Sequence, residues 1–146
     1  MAQATTVDAR KVKVWLGAAH GGGSTLICAL ITRGFNQSKQ SNTFVVPDCT
    51  DPTIVAPVKR AIMSKDATIT GAGQYEPDKR AALQAELEDD ASNTWSFEIP
   101  ATAPLGGYYT GKFFLTAMNI MAEEGNLVTE EMTWEADGPW TWVQYP

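Results

Sequence analysis

The residues that could carry out nucleophilic or metal-assisted chemistry are few and far apart in the sequence. His20 is the only histidine and is followed by three glycines, and the only cysteines are Cys28 and Cys49. Nucleophilic catalysis needs a nucleophile near a base, and a structural zinc site needs four ligands. A Cys–His pair would require His20 to meet one of the cysteines, and nothing around either cysteine resembles an activated thiol. We therefore expect His20 to be a solvated loop residue.

Carboxylate pairs are the other candidates for chemistry, because glycosidases use two acidic side chains across one bond. The pairs are Asp89–Asp90, Glu123–Glu124 and Glu130–Glu131. Adjacent strand residues point to opposite faces, and the first two pairs fall at a helix end and a turn, so convergence is not expected. Residues 71–73 (GAG) lack the Lys-Ser/Thr of a phosphate-binding loop. The sequence predicts no catalytic residue, cofactor or metal, and hence no enzyme.

Composition and charge narrow the classes of protein further. The chain has 146 residues, of which 44% are apolar and 19% charged, and its net charge is −6. This composition suits one globular domain over residues 1–146 and argues against a protein that grips nucleic acid through a basic face. No apolar run approaches a membrane span and no signal peptide is evident, so we expect folding in a cytoplasm without membrane insertion. In that reducing compartment we interpret both cysteines as small buried packing residues.

The tryptophans allow a second interpretation, a glycan-binding module. The chain has five Trp, and Trp134, Trp140 and Trp142 lie close together near the C-terminus. A platform of aromatic rings would suit stacking on sugars. The competing interpretation is that Trp134 belongs to the core and that the other two pack the last strand.

Alternation of apolar and polar residues predicts a mainly β protein. In TWSFEI, Trp95, Phe97 and Ile99 share one face, and the longer segment 108–122 is apolar on both faces. Such a strand needs cover on both sides, from its own fold or from another subunit. We predict an antiparallel β-sandwich or barrel with one flanking α-helix. The strands are expected at 10–16, 25–31, 43–46, 59–70, 94–99, 108–122 and 127–135.

One helix is predicted at about residues 77–90. Pro77 suits its first turn, and Leu83 and Leu87 stack on one face. Its basic residues come early and most of its acidic residues late, which opposes the helix dipole. Either a solvated helix tolerates this arrangement, or the charges meet partners on another chain. The candidates for such contacts are Lys79, Arg80, Glu86 and Asp89.

The segment 127–135 (LVTEEMTWE) predicts a strand with one acidic face. Val128, Met132 and Trp134 share the apolar face, which Glu130 interrupts. The opposite face is wholly polar and consists of Thr129, Glu131, Thr133 and Glu135.

The span NQSKQSNT joins two strand-like segments without the Gly-containing turn of a tight hairpin. Its surroundings, CALITRGFNQSKQSNTFVVPDCTDP over residues 28–52, resemble tail tube proteins of long-tailed bacteriophages and phage-derived gene transfer agents. In that family a Cys-x-Leu strand leads into Arg-x-Phe-x-Gln-x-Lys, and a polar loop closes on Val-Pro-Asp-Cys and Asp-Pro. Related sequences carry Gly after the first Cys, where this chain has Ala29. The matching residues are Cys28, Leu30, Arg33, Phe35, Gln37, Lys39, Val46, Pro47, Asp48, Cys49, Asp51 and Pro52.

The resemblance implies a structural virion protein without cofactor or enzymatic activity. Six copies would form a ring whose inner sheets join around a lumen, and rings would stack into the hollow tail tube that delivers DNA to the host cell. The protein would be assembled in the bacterial cytoplasm and reside in the virion tail. Its partners would be further copies of itself, the tape measure, tail terminator and baseplate or distal tail proteins, and DNA that passes without specific binding.

The resemblance also bears on two unusual features of the sequence. In this family a long loop reaches a neighbouring ring, so the extended polar loop at about 35–52 is expected to contact another subunit. For the acidic face of 127–135 the resemblance gives no placement, and we infer the lumen ourselves, because like charge keeps phosphates from sticking; solvent on the outer wall is the alternative placement. The expected inter-subunit residues are Phe35, Asn36, Gln37, Ser38, Lys39, Gln40, Ser41 and Asn42.

Overall fold

The fold is a mainly antiparallel β-sheet with one α-helix, as predicted. The computed structural model describes residues 6–101 and 105–146. In these ranges α1 is Arg80–Glu88, and a short 3-10 helix lies at Ala9–Lys11. The strands are β1 (Lys13–Leu16), β2 (Thr25–Ile27), β3 (Leu30–Val45), β4 (Val58–Gln74), β5 (Asn93–Ile99), β6 (Gly107–Met121) and β7 (Thr129–Gln144).

The strands are hydrogen-bonded in the order β2-β1-β5-β6-β7-β4-β3. The β6–β7 ladder runs from the Gly107–Gln144 pair to the Met121–Thr129 pair. Gly111 pairs with Trp140 and Phe113 with Ala136, so residues 137–139 (DGP) of β7 lie opposite the single residue Lys112 of β6. The predicted end of this strand at residue 135 is wrong, because β7 continues through these residues. Gly138 adopts a positive φ of 89°, and the segment forms a bulge within the strand.

The described chain divides into two compact units. The hairpin unit is Gln37–Ala67, and the sheet unit comprises the described residues up to Asn36 together with those of Thr68–Pro146. Our expectation of one domain over 1–146 does not distinguish them. In the hairpin unit every residue is exposed except Ala56 and Ala67, so this segment has almost no core of its own.

The core of the sheet unit is built around two tryptophans. The rings of Trp95 on β5 and Trp134 on β7 lie 5.0 Å apart, and both side chains are fully buried. Helix α1 contacts β6 and contributes Leu83 to the core. The other large buried apolar residues are Val14, Ile27, Leu30, Ile69, Phe97, Phe113, Leu115 and Met132.

Several predicted boundaries differ from those observed. The expected strand at 25–31 is divided by a turn at residues 28–29, and α1 begins at Arg80, three residues after the predicted start. The strand predicted at 59–70 extends further, because β4 continues through residues 71–73 (GAG) to Gln74. Glycine is needed at position 73, since a Cβ there would lie 2.1 Å from the carbonyl oxygen of Ala29.

The prediction of a polar loop at about 35–52 is wrong for its first part. Strand β3 continues to Val45, and the irregular connection to β4 covers residues 46–57. The polar span lacks the apolar alternation that identifies a half-buried strand, because both of its faces are exposed. Strand pairing without burial leaves no hydrophobic pattern in the sequence.

Candidate functional site

The acidic face of β7 forms as the alternation predicts. Glu130, Met132 and Trp134 are buried on one side of the strand. The other side carries Thr129, Glu131 and Glu135, which are exposed, and Thr133, which is half-buried.

No basic residue of the neighbouring strands lies opposite the carboxylates of this acidic face. Glu131 pairs with Ala72 of β4 and Asn119 of β6. Glu135 pairs with a threonine of β4 and a phenylalanine of β6. Residues opposite one another in antiparallel strands share a face, so neither carboxylate has a basic partner directly across from it, and Lys112, diagonal to Glu135 on β6, is in no ion pair with a described residue.

Glu130 is buried although it bears a titratable carboxyl group, with only 2% of its surface exposed. Burial raises the pKa of Glu130, and the negative charge of Glu76 raises it further, while a hydrogen bond from the Glu76 backbone acts in the opposite direction. An adjacent cavity of about 280 Å³ is lined by Glu130, Gln74 and Thr32, among others. In the described ranges no three His, Cys, Asp or Glu side chains converge as they do at metal sites.

A second buried carboxyl group, that of Glu98 on β5, collects hydrogen bonds from distant parts of the chain. Glu98 is 1% exposed. His20 Nε2 lies 2.5 Å from Oε2, Trp15 Nε1 donates to Oε1 at 3.4 Å, and the Tyr145 hydroxyl donates to Oε2. Burial and the bond to Glu98 raise the pKa of Tyr145 well above its usual range. We call these four residues the Glu98 cluster.

The Glu98 cluster joins parts of the fold and has no activated nucleophile. Ser96, two residues before Glu98, is also buried, but its hydroxyl donates to the Gly17 carbonyl oxygen at 2.6 Å. His20 is therefore hydrogen-bonded rather than merely solvated, although its side chain is 55% exposed. The alternation in TWSFEI predicts which face of β5 carries Glu98: Glu98 lies with Ser96 on the face opposite Trp95.

The acidic side chains of α1 named as partner contacts are engaged within their own chain. The Asn93 amide donates to Glu86 at 2.7 Å and to Asp89 at 3.1 Å. The backbone N–H of Ala91, followed by the Asn93 amide, lowers the pKa of Asp89. Lys79 is half-buried and Arg80 exposed, and neither is in an ion pair with another described residue.

The polar span presents its side chains to solvent, whereas Phe35, the residue before it, does not. Asn36, Gln37, Ser38, Lys39, Gln40, Ser41 and Asn42 are all exposed. Phe35 differs, because its ring stacks on Tyr109 at a centroid distance of 4.5 Å and an interplanar angle of 11°. It also lies 5.7 Å from the Phe97 ring, so its aromatic face is already covered within its own chain.

Two further expectations are corrected by the burial of the side chains. Cys28 and Cys49 are free and exposed rather than buried, because they lie in the 28–29 turn and in the 46–57 connection. Trp134 is fully buried, which removes it from any sugar-binding platform, while the exposed Trp142 packs against Tyr109.

The described part of the chain has no helix with the length and apolar character needed to cross a bilayer.

Large apolar side chains remain exposed in both units. In the hairpin unit they include Phe44, Val45 and Val55, and in the sheet unit Met121 and Leu127. Exposed apolar residues that cluster are typical of protein–protein contact surfaces.

The sequence and fold match known tail proteins. A model of the phage tail tube protein family matches residues 12–141. No curated protein shows a significant match to the sequence. Among solved structures, the tail of an empty gene transfer agent particle, refined helically with C6 symmetry, has a TM-score of 0.72 at 15% identity, over 94% of this chain and 99% of that chain.

Two further structures show the same fold. A chain in the virion of a native gene transfer agent particle gives a TM-score of 0.73 at 13% identity, over 94% of this chain and 99% of that chain. The SPP1 tail tube gives 0.70 at 10% identity, over 96% of this chain and 80% of that chain. These likenesses establish the fold, and the family match spans nearly the whole sequence. The chain belongs to the family of phage tail tube proteins.

Proposed function

We propose that this chain is the structural subunit of a hollow tail tube and has no catalytic role. Copies form a ring of six, rings stack into the tube, and DNA passes through its lumen to the host cell. The observation that carries the proposal is the family match over residues 12–141. The C6 symmetry of the similar gene transfer agent tail supports six copies per ring.

The exposed surfaces of the chain support self-assembly. A protein that functions as a monomer rarely exposes contiguous apolar patches of more than a few hundred Å². Here apolar side chains are exposed both at residues 44–63 and around the β6–β7 turn. Burial of these side chains between copies would supply the hydrophobic contribution to assembly.

The acidic face of β7 is proposed to line the lumen. Glu131 and Glu135 are exposed and have no basic residue opposite them in β4 or β6. A negative wall repels phosphates and lets DNA slide past without specific binding. We place Lys79, Arg80, Glu86 and Asp89 near a neighbouring subunit, with the two acidic residues already held by Asn93.

The family resemblance supports the remaining assignments. The tube would reside in the virion tail after assembly in the bacterial cytoplasm. It would contact the tape measure along its lumen, the terminator at one end, and the baseplate or distal tail proteins at the other.

Electron microscopy of concentrated protein tests the proposed function. We expect rings or tubes, either from the purified chain or after addition of the other tail proteins. Persistent monomers under both conditions would contradict the proposal.

A charge reversal tests the placement of the acidic face. Glu131→Lys together with Glu135→Lys should leave tubes intact but make them retain DNA at low salt, because phosphates would meet lysines in the lumen. The matched control is Glu88→Lys with Asp90→Lys, the same charge change at exposed residues in and after α1. Equal DNA retention by the two variants would place the acidic face on the outer wall.

A further inference from the structure

The hairpin unit carries an apolar patch around the connection between β3 and β4. Val55 is 93% exposed, the largest value among the exposed large apolar residues of the described chain. We call this set the apolar turn patch: Phe44, Val45, Val46, Ile54, Val55 and Val58.

Local hydrogen bonds shape the segment that presents this patch. Asp48 Oδ1 accepts from the backbone N–H groups of Thr50 at 2.7 Å and Asp51 at 3.0 Å. Asp51 Oδ1 accepts from the backbone and hydroxyl of Thr53, at 3.0 and 2.6 Å. These bonds lower the pKa of both carboxyl groups. These hydrogen bonds lie within the segment itself, so the shape of the turn does not depend on contacts with the sheet unit.

The sheet unit has an apolar concavity at the β6–β7 turn. It has a volume of about 430 Å³, and Met121 and Leu127 in its wall are 59% and 73% exposed. The turn is closed by a 3.1 Å bond from the Asn126 backbone to the Glu123 carbonyl oxygen. The buried side-chain oxygen of Gln74, also in the wall, has no hydrogen-bond partner among the described residues. We call this concavity the β6–β7 groove: Gln74, Met121, Ala122, Glu123, Asn126, Leu127 and Thr129.

Two basic residues of the hairpin unit can meet the acidic residues of the β6–β7 turn. The segment that presents the patch also contains Asp48 and Asp51, but their carboxylates accept hydrogen bonds from its own backbone. Lys59 and Arg60 follow the apolar turn patch directly and form no ion pair with a described residue. Their charges are opposite to those of Glu123 and Glu124 in the β6–β7 turn. Opposite charges of this kind steer association and fix orientation.

We propose that the apolar turn patch of one copy docks in the β6–β7 groove of a second copy, with Val55 as the central side chain. Lys59 and Arg60 of the first copy then lie near Glu123 and Glu124 of the second. The contact is head-to-tail, since each copy offers one patch and one groove, and such a contact propagates from copy to copy. This docking rests on the proposed tube function. It makes the β6–β7 groove the surface that receives the hairpin unit of another copy.

Cysteine cross-linking in assembled tubes tests the docking. Cys28→Ser and Cys49→Ser first remove both exposed native thiols. Val55→Cys is then combined with Leu127→Cys, and tubes are oxidised and run on a non-reducing gel. A disulfide forms only when the Cα atoms approach within about 7 Å. The matched control pairs Val55→Cys with Leu105→Cys, since Leu105 is also exposed but precedes β6, whereas Leu127 follows it.

We expect a ladder of covalent dimers and higher multimers from Val55→Cys/Leu127→Cys tubes and only a trace from the control pair. Tubes without this ladder, or with equal ladders from both pairs, overturn the docking but leave the proposed function standing. A cross-link within one chain also overturns it, because the occupant of the groove would be the same copy. Absence of tubes from the wild-type chain overturns the proposed function and the docking together.

Discussion

The sheet unit and the hairpin unit differ in where their apolar side chains lie. The sheet unit buries a core of large apolar residues around Trp95 and Trp134 and exposes others such as Leu127, whereas the hairpin unit exposes all of its large apolar residues, Phe44 and Val55 among them. A two-stranded hairpin without a buried face is at best marginally stable in water. The sheet unit therefore has a core that can hold it folded, and the hairpin unit has none; in the proposed tube, the apolar residues of the hairpin unit would be covered by another copy.

The largest effect on stability is expected at the centre of the sheet unit. Trp134→Ala removes a fully buried ring that lies against Trp95, and it should lower the free energy of unfolding by about 3–5 kcal/mol. Chemical denaturation followed by circular dichroism measures this loss. A loss below about 1 kcal/mol would show that the sheet unit lacks the tight core on which the comparison depends.

A smaller effect is expected in the Glu98 cluster. Tyr145→Phe removes the hydroxyl that donates to the buried Glu98 carboxyl, which should cost about 1–3 kcal/mol. Tyr75→Phe, the same change at a half-buried tyrosine outside the cluster, is the control. Equal losses in denaturation experiments on the two variants would mean that the bond to Glu98 does not stabilise the fold.

Glu130→Gln tests the buried side of β7 through its pH dependence. The raised pKa of Glu130 means that the folded chain binds this proton more tightly than the unfolded chain does. Wild-type stability should therefore fall as pH rises through the ordinary glutamate range, and the variant should lack this contribution.

Urea denaturation at about pH 4 and about pH 7 measures the difference. The free energy of unfolding of Glu130→Gln, relative to that of the wild type, should be higher at about pH 7 than at about pH 4. Glu131→Gln, on the exposed face, should not show this change. A wild-type minus Glu130→Gln difference that does not change with pH would contradict the assignment.

The smallest effect on folding is expected in the hairpin unit. Val55→Ala changes a side chain that is almost fully exposed, so the free energy of unfolding should change by less than about 0.5 kcal/mol. The same denaturation experiment measures it. A loss approaching that of Trp134→Ala would remove the distinction between the units.

The sequence predicts those parts of the fold that rest on local pattern. Alternation of apolar and polar residues predicts β5, the acidic face of β7 and the burial of Trp134, because the apolar residues of such a strand lie on the side that faces the core. The motif at residues 28–52 identifies the family, since its residue types and spacing agree over a long stretch.

Features that depend on distant partners could not be predicted. Glu98 is buried because His20 and Tyr145, 78 and 47 residues away, supply its hydrogen bonds. The bulge at residues 137–139 resembles a turn in sequence, and only the pairing with β6 on either side shows that the strand continues. No apolar alternation marks the apolar turn patch, because Val46, Ile54 and Val55 lie in the irregular connection between β3 and β4.

Amide hydrogen exchange distinguishes a hairpin unit that is stable alone from one that another copy completes. We expect fast exchange over Gln37–Ala67 in the isolated monomer, strong protection in assembled tubes, and little change in the core strands of the sheet unit. Equal protection of Gln37–Ala67 in monomer and tube would contradict the claim that another copy completes this unit.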